Sequence, residues 1–165
     1  MDTITIRAAR PVDAAAMAGI YNQAVACSTA TFDTVPETVS EREEWLAGHT
    51  APQHPVLVAE SDGRVVGWAS LSRYSDRCAY EATVEVSAYI DEDFTGHGLG
   101  TRLTEAVLAA GKAGGVHAVL SRICTENTVS LKMAARLGFQ EVGVLREVGV
   151  KFGRPLDVMM LEKLL

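Results

Sequence analysis

Positive charge is the scarcer sign in this chain: 15 Lys and Arg stand against 21 Asp and Glu, a formal net charge of −6. Binding to nucleic acid depends on clustered cations that release counterions from the phosphates. No such cluster occurs, so no nucleic-acid partner is expected. Long apolar runs are missing too. None approaches the roughly 20 residues needed to span a bilayer, and Met1–Arg7 lacks the charged-then-apolar layout of a secretory signal, so a cytoplasmic chain with no membrane partner is expected. Cysteine is sparse and odd in number. Cys27, Cys78 and Cys124 lie far apart and in no paired ligand spacing, which points to reduced thiols rather than a disulfide framework or a zinc site. His49, His54, His97 and His117 show no metal spacing either, and no metal is expected. Repeats, low-complexity tracts and Pro- or Ser-rich linkers are absent, so residues 1–165 read as a single domain able to bury its own core.

Hydrophobic periodicity supplies the elements. Thr3–Ala8 alternates as a strand. Pro11–Val25 opens with proline at a helix-start position and continues with Val12, Ala16, Met17, Ile20 and Ala24 at helical spacing. Ser28–Thr38 is expected to be irregular. Ser40 and Glu43 then form a capping-box pattern for a short helix through Leu46, with Gly48 as its stop. Pro55–Glu60 and Arg64–Ser72 flank Asp62-Gly63, a strong short-range hairpin signal. Ala82–Ile90 alternates cleanly, with Val84, Val86, Ala88 and Ile90 on one face and Thr83, Glu85, Ser87 and Tyr89 on the other. Gly98-Leu99-Gly100 leads into a helix with the stripe Leu103, Ala106, Val107 and Ala110, ended by Gly114-Gly115. His117–Ile123 is a strand, Val129–Leu137 a helix closed by Gly138, and Phe139–Leu145 and Leu156–Leu161 are terminal strands. The expected class is α+β, a mixed and mainly antiparallel sheet flanked by helices.

One segment carries more than structure. In Thr95-Gly96-His97-Gly98-Leu99-Gly100-Thr101, the N–H groups of a turn and of a helix N-terminus converge, an arrangement that holds phosphates without basic side chains. The spacing departs from a dinucleotide fingerprint, because Thr101 stands where a third glycine is required, and the P-loop lysine is absent. The alternative, for the turn taken by itself, is a tight loop before a helix.

Set beside other segments, the turn resembles the Arg/Gln-x-x-Gly-x-Gly/Ala pattern of the GCN5-related N-acetyltransferases (GNAT). The chain is most similar to that superfamily's phosphinothricin and methionine sulfone acetyltransferase group. The resemblance runs through Ile20-Tyr21-Asn22, Ser28–Phe32, Ala79–Glu85, Asn127 with Ser130, Leu137-Gly138-Phe139 and Gly143–Gly153. It implies the GNAT fold and acetyl-CoA as donor. The backbone of Ala88, Tyr89 and Ile90 is expected to pair with the pantetheine arm and polarise the acetyl carbonyl. Thr95, Gly96, His97, Gly98, Leu99, Gly100 and Thr101 are expected at the pyrophosphate, with Asn127 and Ser130 touching the cofactor from the next helix. A homodimer is expected by the same analogy.

An amine attacks a thioester only as the free base, so a proton acceptor is needed near the acceptor nitrogen. Glu85, on the polar face of its strand and at the position of the family's proposed catalytic glutamate, is the expected catalytic residue. Arg73 and Arg77 are candidates for holding an acceptor's negative group; Phe32 matches an aromatic that lines the family's acceptor pocket, and Lys151 with Phe152 matches a segment near the family's site or subunit interface. Two departures stand out. Ala134 occupies the position where the family commonly has a His or Tyr acid, and Thr95 replaces Arg or Gln at the turn. The leading expectation is acetylation of the primary amine of a small amino acid or analogue of the phosphinothricin, methionine sulfone or methionine sulfoximine type. A polyamine or aminoglycoside acceptor, and a catalytically weak acyl-CoA sensor, are the alternatives.

Overall fold

The computed structural model describes residues 4–165. Along the chain run β1 (Ile4–Ala8), α1 (Ala14–Cys27), α2 (Val39–Ala47), β2 (Val56–Ser61), β3 (Arg64–Arg73), β4 (Thr83–Ile90), α3 (Leu99–Ala113), β5 (Ala118–Cys124), α4 (Thr128–Arg136), β6 (Gln140–Lys151) and β7 (Arg154–Leu164). The strands form one seven-stranded sheet in the order β1-β2-β3-β4-β5-β7-β6. Every neighbouring pair is antiparallel except β4 and β5, as the expected α+β class requires.

The strand alternation on β4 sorts the core into two layers. Val84, with Val86, Ala88 and Ile90 against it, packs on Leu99, Leu103 and Val107 of α3 and on Ala134 and Phe139. Tyr89 packs on the opposite layer, with Met17, Ile20, Tyr21 and Val25 of α1 and Trp68 of β3. Trp68 also donates from its indole N–H to the Met17 carbonyl at 3.1 Å. Arg42 is the unusual member of this second layer. It is 3% exposed, lies over the rings of Tyr21, Trp45 and Trp68, and is neutralised by Glu37 at 2.6 and 2.7 Å. Burying a guanidinium is tolerable when it is both paired and stacked in this way.

The hairpin between β2 and β3 turns at Asp62 and Gly63, with φ of 47° and 79°, the left-handed pair that a two-residue hairpin demands. Several expectations shift. Thr3 lies outside the described residues. Pro11–Asp13 forms a separate single 3-10 turn before α1. The capping box of α2 is made by Thr38 and Glu41 rather than Ser40 and Glu43: Thr38 Oγ1 accepts from the Glu41 N–H, and Glu41 accepts from the Thr38 N–H. Both pairs satisfy the same spacing rule, and Thr38 has the extended backbone a cap requires. On α3 the buried stripe is Leu99, Leu103, Thr104, Val107, Leu108 and Gly111, turned relative to the expected one because the helix packs on the strongly apolar β3 and β4. The terminal hairpin is also longer than expected, with β6 reaching Lys151 and β7 starting at Arg154.

Candidate functional site

The β4–β5 pairing stops early. It joins Thr83, Val84 and Glu85 to Ala118, Val119 and Leu120 and goes no further, so the sheet splits beyond Glu85. The Ala82 carbonyl accepts from the Ala118 N–H, while the Asp91 N–H donates across to Val66 of β3. By alternation, the backbone groups of Val86, Ala88 and Ile90 face the gap. Tyr89 corrects the expected trio: its backbone is paired with Trp68 of β3, and its ring packs against those of Tyr21 and Trp68. Burial pushes the Tyr89 hydroxyl up to about 12.

On one side of the gap lies a cleft of about 940 Å³. Its wall includes Ala88, Tyr89 and Ile90, then Thr95, Gly96, Gly98, Leu99, Gly100 and Thr101, and Asn127 and Ser130 of α4. Gly98 sits at φ 76° as the residue before α3, and no side chain caps that helix. The left-handed turn therefore leaves the first N–H groups of α3, with the helix dipole behind them, directed at the cleft. His97 is exposed and outside the cleft wall, and the Thr95 hydroxyl is tied to the Glu92 carbonyl at 3.0 Å. Asn127 caps α4 by accepting from the Ser130 N–H at 3.2 Å. Lys132 and Arg136 of α4 also line the cleft, as does Arg154, which pairs with Glu126. Sequence reading missed these cations because Lys132 and Arg136, four residues apart, look like any solvated helix face.

A narrower space of about 100 Å³ passes through the split sheet itself. Val86, Ala88, Ser121, Ile123 and Ala134 line its α3 side, and Thr29, Ala30, Ser87 and Arg122 its α1 side. Ala134 is 4% exposed and apolar, so α4 brings no acid to this passage at that position.

Glu85 does not itself line the passage; it forms a rim beside it, one residue before Val86 in β4 and hydrogen-bonded to Arg122, both of which do. Both its oxygens accept from Arg122 of β5, at 2.7 Å from Nε and 2.8 Å from Nη2. Sequence reading missed Arg122. The available signal was a single charged residue, Arg122, inside the Ala118–Cys124 strand. On the other flank, Ser72 is the cross-strand partner of Glu85, and Ser72 Oγ lies 2.9 Å from His49 Nε2. The Nδ1 of His49 is 2.7 Å from the Trp45 carbonyl, which can only accept. Nδ1 therefore carries the proton, and in the neutral ring Nε2 accepts from Ser72. Burial lowers His49 below the ordinary 6.5, favouring that neutral form.

The remaining expected residues fall at varied distances from this rim. Lys151 is 3% exposed, and its ammonium donates to the carbonyls of Ala24, Ser28 and Thr31 at 3.3, 2.7 and 2.8 Å. It is a strut for the 28–31 loop rather than a free cation, and burial lowers it below 10.5. Phe32 packs so closely on Gly149 of β6 that a side chain there would have no room. Arg73 pairs weakly with Asp76 at 3.4 Å, and strand alternation sets it with Val84, opposite Glu85. Arg77 is exposed in the loop after it.

A family profile described as an acetyltransferase (GNAT) domain matches residues 6–160. The L-methionine sulfoximine/L-methionine sulfone acetyltransferase of Pseudomonas paraeruginosa is 34% identical over 159 residues, 96% of this chain and 92% of that protein. The phosphinothricin N-acetyltransferase of Alcaligenes faecalis is 36% identical over 160 residues, 96% of this chain and 81% of that protein. Among solved structures, a GNAT superfamily phosphinothricin acetyltransferase from Sinorhizobium meliloti in complex with AcCoA superposes with a TM-score of 0.94 at 29% identity, covering 99% of this chain and 89% of that one. With a split β4–β5 pair, an open helix N-terminus beside it and relatives of this closeness, the chain belongs to the GNAT acetyltransferase family.

Proposed function

We propose that this protein acetylates the primary amine of a small amino acid or amino-acid analogue, of the methionine sulfone, methionine sulfoximine or phosphinothricin type, using acetyl-CoA. The observation that carries this reading is the split sheet. A carboxylate, Glu85, is held beside the passage by Arg122, and a cleft ending at an open helix N-terminus adjoins the same passage along Thr29, Ala30, Ala88 and Asn127.

The cleft suits acetyl-CoA in shape and in donor set. The N–H groups of Gly98–Thr101 and the charges of Lys132 and Arg136 suit its phosphates, and the free backbone edge at Val86, Ala88 and Ile90 suits an amide-bearing arm. When bound, acetyl-CoA supplies the acyl carbon, which exchanges its sulfur for the acceptor nitrogen. The chain's own part is to hold, orient and move a proton. Glu85 takes the proton released by the acceptor ammonium, directly or through water, and a gap-facing N–H of β4 donates to the acyl oxygen. Ala134 offers no proton to the departing sulfur. Thiol pKa values near 8.5 make that loss tolerable around neutral pH.

Charge at the rim favours an amino acid over a polycation, because Glu85 is matched there by Arg122. The entire chain acts as one catalytic domain, in a reducing cytoplasm that suits its free thiols. A second copy covers β6. This edge strand exposes Val142, Val144, Leu145, Val148 and Val150, a surface that a lone chain does not leave in water without cost. The test is thiol release from acetyl-CoA with L-phosphinothricin, L-methionine sulfone, spermidine and an aminoglycoside side by side. Release with the two amino acids is expected. Release with the polycations alone would overturn the acceptor assignment, and acetyl-CoA binding with no release in a broad amine panel would favour the sensor.

A further inference from the structure

We infer that Arg122 selects acceptors carrying a free α-carboxylate: the Glu85–Arg122 pair is a preformed site for a zwitterion, Glu85 receiving the ammonium and Arg122 the carboxylate.

Register places Arg122 at the gap. Leu120 is the β5 partner of Glu85, so two residues on, where pairing has ceased, Arg122 stands across from Ser87 on the same face, and both line the passage. From there it reaches back to grip Glu85 with Nε and one Nη2 proton. The Nη1 group and the second Nη2 proton have no protein partner among the described residues. A guanidinium with a spare planar edge is suited to a carboxylate.

The charges balance. The ammonium and carboxylate of an α-amino acid sit on one carbon, and the two side chains sit as close to each other as hydrogen-bonded neighbours. A bound zwitterion puts an opposite charge against each member of the pair and adds no net charge to the site. A simple amine lacks the partner for Arg122, and a polycation brings charge that Arg122 repels. Mobility fits as well: the Arg122 side chain is 59% exposed, against 23% for Glu85, so the arginine can shift to a ligand while the glutamate stays fixed. Arg73 stands on the other face, and Arg77 makes no contact with Glu85.

This inference rests on the acetyltransferase reading above, and the test separates the two. The acceptors are L-methionine sulfone and its decarboxylated counterpart, 3-(methylsulfonyl)propan-1-amine, with wild type, Arg122→Gln and Arg122→Lys. Acetyl-CoA binding by calorimetry serves as the check that each variant is folded. Arg122→Gln should lower kcat/KM for the amino acid by about 10- to 100-fold more than for the decarboxylated amine, with the excess loss chiefly in KM. Arg122→Lys should recover part of the loss. Equal losses on both acceptors would overturn the inference, leaving Arg122 as a residue that only orders Glu85. So would a wild-type enzyme that does not distinguish the two acceptors. A wild type inactive on both would overturn the functional reading and this inference with it.

Discussion

The two sides of the split sheet are built by different means. The cleft side is mostly backbone: the open N-terminus of α3, the left-handed Gly98 and the unpaired edge of β4. These three follow one another within a single stretch of chain from Val86 to Thr101, and side chains of α4 complete the wall. The rim side is mostly side chains gathered from distant segments, with His49 from just beyond α2, Ser72 from β3, Glu85 from β4 and Arg122 from β5. Backbone sites tolerate sequence change because every residue except proline has an N–H. Side-chain sites change with a single substitution. Arg122 belongs to the side built from side chains, so acceptor choice is what a single substitution should alter most readily.

Changes that break one side should leave the other intact. The largest effect is expected for Glu85→Gln, with kcat down about 100-fold or more as a proton acceptor is lost, and acetyl-CoA affinity by calorimetry held within about twofold. Gly98→Val forces a β-branched residue to φ 76°, and acetyl-CoA KM should rise about 10- to 100-fold from the strain or from loss of the turn, with little change in acceptor preference. Lys151→Met tests the segment that borders both sides, since Thr29 and Ala30 line both the cleft and the passage. Leaving three carbonyls without their donor should destabilise the fold by roughly 1–3 kcal/mol in urea titrations and raise KM for both substrates.

Acid should weaken the rim side first. Burial lowers both His49 and His54 below 6.5, with the neighbouring charges of His54 and Arg42 acting on His49 and that of Arg73 on His54. The unfolded chain binds these protons more readily than the folded one. The stability is therefore present above about 6.5 and is lost as pH falls through the lower folded values. Thermal melts from pH 8 to 5 should show a falling midpoint below that point, and His49→Gln should flatten part of the fall. The smallest effect is expected for Thr38→Ala, which removes the α2 cap at about 1 kcal/mol and should leave kcat unchanged.

The contrast also governs what could be read in advance. The glycine turn, the alternating faces of β4 and the Asp62-Gly63 hairpin are written in consecutive residues, and the structure has them where periodicity put them. The Glu85–Arg122 and Ser72–His49 contacts depend on strand order and register, which a local pattern does not encode. Lys151 read as a candidate near the acceptor because its segment matches the family. That its ammonium is buried against three carbonyls follows only from how α1 ends against β6. The last half of β6 escaped periodicity for a related reason. Around Glu147, at φ 52°, the β6–β7 register shifts between Leu145 and Gly149, and the alternation is broken there.

Independence of the two sides is tested most directly by the double variant Glu85→Gln, Gly98→Val, assayed for kcat/KM with acetyl-CoA and L-methionine sulfone beside each single variant. Separate sides predict that the losses multiply, so that the free energies add to within about 0.5 kcal/mol. A double variant no worse than Glu85→Gln alone, or a coupling well beyond that margin, would contradict the division.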